Sequence, residues 1–352
     1  MATVQSSSTL QGGQWLLLAV LFLLQGCAQA MIQSPGPALD PGWEAGEGET
    51  LPRLEGHRLL AEDGYELPLS RWLPDSSPES VVLALHGFND FRASHETVAH
   101  VLTRGGTAVY AYDQRGFGTT EQRGIWPGRD RLVDDARTAL ALLRDRYPEQ
   151  PLYLLGESMG AAVAILALTG EQAPEVDGTI LMAPAVWARE TQPWYQRLGL
   201  WLGVRLTPGM KLDSEWVAVE PTDDPTWADY WDEHPLVIHR SRMDALDGIS
   251  HLMSDALAAS AELPGPTLLL YGGNDEVVPP EAICNMLKTL PDPQNHHWRF
   301  AYYPEGWHFL SRDRRARETL MDMLEWQHSP TTALPSGREL TKSAGLALLC
   351  ED

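Results

Sequence analysis

The chain has 352 residues, 43% of them apolar and 21% charged, so it can bury a sizeable core and is not a disordered chain. Its 48 acidic and 26 basic side chains give a formal charge of −22, which argues against a nucleic-acid partner and supplies no attraction to anionic lipid headgroups. The three cysteines, Cys27, Cys284 and Cys350, contain no CxxC pair, so no metal site and no thioredoxin-type site is indicated.

At the N-terminus, Trp15 to Leu24 is a run of ten apolar residues. A bilayer span needs about 20, so this run reads as the apolar region of an export signal covering residues 1–26. Its ending, Leu24-Gln25-Gly26-Cys27, resembles a bacterial lipoprotein signal. That resemblance implies a lipid on Cys27, and Ala28 after it implies the outer membrane, periplasmic side, as the location. A plain signal peptide cut near Ala28-Gln29-Ala30, and no export at all, stay open as alternatives. Residues 27–52, rich in Gly, Pro and Glu, read as a flexible tether.

Order is expected from residue 53. His57 to Trp72 alternates around Asp63-Gly64, with Tyr65, Leu67 and Leu69 on one face, which is a hairpin pattern. Short apolar strands then alternate with helical stretches. The strands are Val81–Leu85, Thr107–Tyr112, Leu152–Leu155, Thr179–Met182, Thr267–Tyr271 and Arg299–Tyr303. Leu132, Ala136, Leu140 and Leu143 mark one helix, Ala161–Leu168 a second and Arg314–Trp326 a third. The fold class is therefore α/β, a mostly parallel sheet with helices on both faces, formed by 53–186 and 247–328. Such sheets place their sites at the carboxyl ends of strands.

Residues 187–246 break this rhythm. They carry Trp187, Trp194, Tyr195, Trp201, Trp216, Trp227, Tyr230 and Trp231, and they read as a helical cap. Trp194, Tyr195 and Trp201, with Leu198, Leu200 and Leu202, can turn one apolar face towards bound substrate; the alternative is a helical decoration with no substrate role. Cys284, in Ala282-Ile283-Cys284-Asn285-Met286, reads as a buried free thiol, with a Cys284–Cys350 disulfide left open. Residues 329–352 read as a tail of doubtful order.

Gly156-Glu157-Ser158-Met159-Gly160 follows a strand and precedes a helix of small residues. That is the setting of a nucleophile elbow, in which the serine oxygen projects above the sheet at a helix N-terminus. A serine hydroxyl needs a base, and in this arrangement the acid and then the histidine follow the serine along the chain. Asp275, with Glu276 as its rival, lies just past the Thr267–Tyr271 strand. Of the 11 histidines, only His308 follows a strand beyond Asp275. The oxyanion hole should use the backbone N–H groups of Met159 and of Phe88 in the loop Leu85-His86-Gly87-Phe88-Asn89.

His86-Gly87, Asp113-x-Arg115-Gly116-x-Gly118, the Ser158 elbow, Asp275 and Gly306-x-His308 together resemble the monoacylglycerol lipase and lysophospholipase branch of the α/β-hydrolases. The resemblance spans about residues 55–328 and implies ester hydrolysis of a monoacyl lipid, a monoacylglycerol or a lysophospholipid, without a cofactor, under a helical cap over an apolar acyl channel. The loop Phe88-Asn89-Asp90-Phe91 departs from that branch, where smaller residues are usual. Rival readings are a short-chain esterase, a thioesterase, a peptidase, and a tethered non-catalytic binding module.

Overall fold

The computed structural model describes residues 30–39, 50–213, 219–293 and 297–350. An antiparallel meander opens the fold: β1 (Arg53–Glu55), β2 (Arg58–Leu60) and β3 (Glu66–Trp72). Next come β4 (Ser80–Leu85), α1 (Glu96–Arg104), β5 (Thr107–Tyr112), α2 (Arg129–Arg146), β6 (Leu152–Glu157), α3 (Met159–Ala167) and β7 (Gly178–Met182). The cap region contributes α4 (Trp194–Leu206), β8 (Lys211–Asp213), α5 (Pro225–Glu233) and β9 (Arg240–Arg242), and α6 (Met243–Ala259) leads back. Then follow β10 (Thr267–Gly272), α7 (Pro280–Thr289), β11 (Trp298–Tyr303), α8 (Ala316–His328), β12 (Glu339–Leu340) and α9 (Lys342–Leu349).

Ten strands form one sheet in the order β1-β2-β3-β5-β4-β6-β7-β10-β11-β12. The six strands from β5 to β11 run parallel, and they are the six expected from the apolar runs. Strands β4, β5, β6, β7 and β10 are buried at every position, because helices cover both faces. Side chains alternate between two cores. Val81, Leu83 and Leu85 share one core with Leu140, Val163, Leu252 and Ile283, while Val82 and Ala84 share the other with Val98, Leu102, Met323 and Trp326. This is an α/β-hydrolase fold.

Four expectations change. Part of the expected tether is docked: Gln33 is buried and its side-chain amide donates to the Ile125 carbonyl at 2.6 Å, while the Gly36 and Ala38 N–H groups donate to the Asp63 side chain (3.0 Å) and carbonyl (2.9 Å). Those backbone groups need partners once covered, and the hairpin turn supplies them. The expected tail is ordered through Cys350: β12 adds antiparallel to β11, and α9 packs on α7. Cys284 is not a free thiol, since it is bonded to Cys350 across a sequence separation of 66. The cap is not purely helical either, because β8 and β9 pair antiparallel within it. Residues 1–29, with Cys27, lie outside the described residues. No helix among the described residues is long and apolar enough to cross a membrane.

Candidate active site

Ser158 sits at the end of β6, where the chain turns into α3. Its φ is +53°, a left-handed conformation that a side-chain-bearing residue adopts only when its surroundings enforce it. The Ser158 N–H donates to the Met182 carbonyl at 2.9 Å, and the Ser158 carbonyl accepts from Ala161, Ala162 and Ala185. The glycines two positions away on each side are required sterically. A Cβ on Gly160 would strike the Leu85 backbone, and one on Gly156 would strike Ala161.

Asp275 and His308 reach this point on the loops after β10 and β11. His308 Nδ1–H donates to Asp275 Oδ2 at 2.8 Å, and Asp275 Oδ1 accepts from the N–H groups of Val277 and Val278, both at 2.8 Å. Burial disfavours the charged imidazole, yet the Asp275 carboxylate, by charge and by hydrogen bond, outweighs it, so the His308 pKa is raised above the usual histidine value. The rival carboxylate is committed elsewhere: Glu276 Oε2 accepts from the Glu220 N–H at 2.9 Å. Among the described residues, no protein group hydrogen-bonds the Ser158 hydroxyl or His308 Nε2. The serine–histidine link is thus the one contact of the relay that is not formed, a common state of such sites without substrate.

The two oxyanion candidates bracket the serine. Among the described residues, neither the Phe88 N–H nor the Met159 N–H has a protein acceptor. Gly87 lies against the nucleophile, so a Cβ there would be 3.4 Å from the Ser158 Cβ. His86 holds this loop: its Nε2 accepts from the Gln114 N–H at 3.0 Å, which leaves Nδ1–H to donate to the Gly87 carbonyl at 2.8 Å. The bulky Phe88-Asn89-Asp90-Phe91 segment is explained by what it grips. Asn89, at φ +65°, donates through its side chain to Ser241 Oγ (2.8 Å) and accepts from the Ile238 N–H (3.0 Å), tying the loop to the cap. A narrow crevice beside Phe88 is lined by Phe117, Trp126, Ile238 and Ala245. A larger open cleft between α2, α3 and α6 includes Arg137, Asp255 and Glu262 but none of the candidate catalytic residues.

The cap residues are not where the sequence suggested. Trp194, Tyr195 and Trp201 are 72%, 60% and 48% exposed, and Leu198 and Leu202 are exposed beside them. No residue of α4 is buried. Helix α4 packs on α6 with Gly203 against the Met243 side chain, and the aromatic stripe lies on the outward side. The aromatic rings therefore do not wall an enclosed channel. No group of metal-binding side chains occurs among the described residues.

Sequence reasoning missed one group. Arg312, four positions after His308, is fully buried and bonded to Glu157 of the elbow and to Asp90 of the oxyanion loop. The signal was present in Glu157 itself, since a carboxylate at the end of a buried strand demands a cation.

Comparison with known proteins adds the family. A family model described as "Serine aminopeptidase, S33" matches residues 76–315. The monoacylglycerol lipase of Mycolicibacterium smegmatis is 26% identical over 281 residues, covering 77% of this chain and 95% of that protein. The crystal structure of the Paleococcus ferrophilus monoacylglycerol lipase matches with a TM-score of 0.62 at 22% identity, covering 75% of this chain and all (100%) of that one. A soluble variant of the monoglyceride lipase of Saccharomyces cerevisiae matches with a TM-score of 0.66 at 18% identity, covering 85% of this chain and 100% of that one.

Proposed function

The chain belongs to the serine aminopeptidase, S33, family of α/β-hydrolases, and from that premise we propose that it cleaves the ester bond of a monoacyl lipid through an acyl-enzyme on Ser158. It is a lipase-like serine hydrolase, similar to monoacylglycerol lipases. In the proposed reaction the Ser158 oxygen attacks the ester carbonyl carbon while His308 Nε2 takes its proton. The carbonyl oxygen becomes an oxyanion held by the N–H groups of Phe88 and Met159, each such donor contributing about 3 kcal/mol in the transition state. Asp275 holds the imidazolium that forms. Collapse breaks the ester C–O bond, and the alcohol leaves with the proton from His308. Water, deprotonated by His308, then attacks the acyl-enzyme, releases the carboxylic acid and restores Ser158.

The observation that carries this reading is the Asp275–His308 pair at 2.8 Å, on loops that end beside an elbow flanked by two unpaired N–H groups. A panel containing a monoacylglycerol, a lysophospholipid, p-nitrophenyl esters and an aminoacyl anilide tests it. Hydrolysis of the monoacyl esters with fluorophosphonate labelling of Ser158 is expected. Faster cleavage of the anilide would make the chain a peptidase, and no labelling would leave a non-catalytic module. The proposal extends to Cys27 as a lipidated residue that holds the enzyme at the periplasmic face of the outer membrane. An intact mass that starts elsewhere, without acyl chains, overturns that part.

A further inference from the structure

We propose that Arg312 is the positioning residue of this site, a guanidinium that locks the oxyanion loop, the nucleophile elbow and the histidine loop into one working geometry. The inference rests on the triad reading above and goes beyond it, because Arg312 touches none of the reacting atoms.

Its contacts span all three segments. Arg312 Nη2 donates to both carboxylate oxygens of Glu157, each at 2.8 Å, and Glu157 is the residue immediately before Ser158. Arg312 Nη1 donates to Asp90 Oδ2 at 3.0 Å, and Asp90 closes the turn that presents the Phe88 N–H, its own N–H donating to the Gly87 carbonyl at 3.4 Å. The guanidinium lies 3.8 Å over the ring of Phe309, the neighbour of His308. Its carbonyl accepts from the Thr222 hydroxyl at 2.8 Å, and the Phe309 N–H donates to the Pro221 carbonyl at 2.8 Å, so the same segment also seats the base of the cap. The planar fork reaches two carboxylates at once, and a lysine ammonium cannot reproduce that geometry.

The oxyanion donors and the base must each be held within a fraction of an ångström of their working positions, and a misplacement of about 1 Å reduces rate by about 100-fold. Arg312 is the group through which movement of one segment reaches the other two. It also sets the charge near the base. Those bearing on His308 are Asp275 from the β10 loop, Glu157 from the end of β6 and Arg312 from its own loop, with Asp90 acting on Arg312. Glu157 favours the imidazolium and Arg312 opposes it. His95, fully buried, adds no charge, since burial and the charge of Arg312 hold its pKa at about 3.

Arg312→Lys and Glu157→Gln, assayed on a soluble p-nitrophenyl ester with folding followed by circular dichroism, test the proposal. Arg312→Lys keeps the charge and loses the fork, so kcat should fall about 100-fold with KM within about twofold and the acid limb of the pH profile in place. Glu157→Gln keeps the shape and removes the charge that favours the imidazolium, so the acid limb should move to lower pH. A folded Arg312→Lys enzyme with wild-type kcat, or one whose loss lies in KM, overturns the proposal. So does a Glu157→Gln acid limb that stays or moves upward. Ser158→Ala serves as the separate control: activity surviving that change overturns the triad reading instead.

Discussion

Two buried arginines organise this molecule, and they hold different things. Arg115 binds Asp63 through two hydrogen bonds of 2.7 Å and Asp135 through two of 2.6 and 2.9 Å, with its guanidinium 4.4 Å over the Tyr65 ring. Arg312 likewise bridges two carboxylates and stacks on a ring, that of Phe309. The Arg115 partners belong to the β2–β3 turn and to α2, elements that only need to stay together. The Arg312 partners are Glu157, the last residue of β6 beside Ser158, and Asp90, in the loop that presents the Phe88 N–H. Similar chemistry thus serves stability in one place and rate in the other, and the same kind of substitution should separate them.

The chemistry sets the scale. Ser158→Ala should reduce kcat by about 10⁶-fold while the melting temperature stays put, because the triad works as a unit and the hydroxyl that is removed has no hydrogen-bond partner among the described residues. A variant that keeps more than a trace of activity would remove the nucleophile assignment and with it the meaning of the Arg312 cluster. Asp275→Asn should reduce kcat by about 10⁴-fold. It also moves the pH profile. The carboxylate raises the His308 pKa, so the native acid limb lies above the ordinary histidine value and should fall to lower pH in the variant. The stability sign follows from the same shift. A raised folded-state pKa contributes stability that is complete below the unfolded value and lost as pH rises through the folded one. A titration series of melting temperature on both proteins checks it.

At Arg115 the sign of the outcome reverses. Arg115→Met leaves Asp63 and Asp135 buried without their cation and should cost about 3–5 kcal/mol of stability, with kcat of the folded fraction within about twofold. Denaturant melts and active-site titration separate the two quantities. A kcat loss as large as that of Arg312→Lys would erase the distinction between the clusters. The disulfide gives a smaller, purely mechanical case. Cys350→Ser releases a link that spans 66 residues, and the loss should be about 2–4 kcal/mol with no change in kcat.

The parallel strands were legible because each is an unbroken apolar run that ends in a turn, and the three candidate catalytic residues could be singled out because each follows such a strand. Short elements were not. Three-residue strands such as β8 and β9 carry no period to read, and their pairing is a property of the cap's packing. Arg312 was invisible for another reason: its partners lie 222 and 155 residues away, and an arginine in a loop is ordinarily solvated. The Cys284–Cys350 bond depended on α9 folding back over α7, which nothing in the tail's composition announces. The amphipathic pattern of α4 was read correctly as a stripe and wrongly as to where it points. A helical period shows that one face is apolar; it does not say which face will meet a neighbour, and here the face with Gly203 lies against Met243 of α6.

That reversal yields the smallest expected effect. An acyl chain gains about 0.8 kcal/mol per CH₂ only where the CH₂ leaves water. A channel wall must therefore be dry, and rings that are 72%, 60% and 48% exposed in Trp194, Tyr195 and Trp201 cannot supply one. Changing these three residues to Ala should leave kcat/KM on dissolved esters unchanged within about twofold at every acyl length, because only exposed surface is removed. The rise of kcat/KM with acyl length that the proposed monoacyl-lipid substrate predicts should appear equally in both proteins, with its source nearer the crevice between Phe88, Phe117 and Trp126. Steady-state kinetics on a C2 to C8 series, kept below aggregation, decides the matter. A profile that flattens in the triple variant would mean that α4 turns over its substrate during binding, and the cap would then join Ser158, Asp275 and His308 as part of the working site rather than a surface above it.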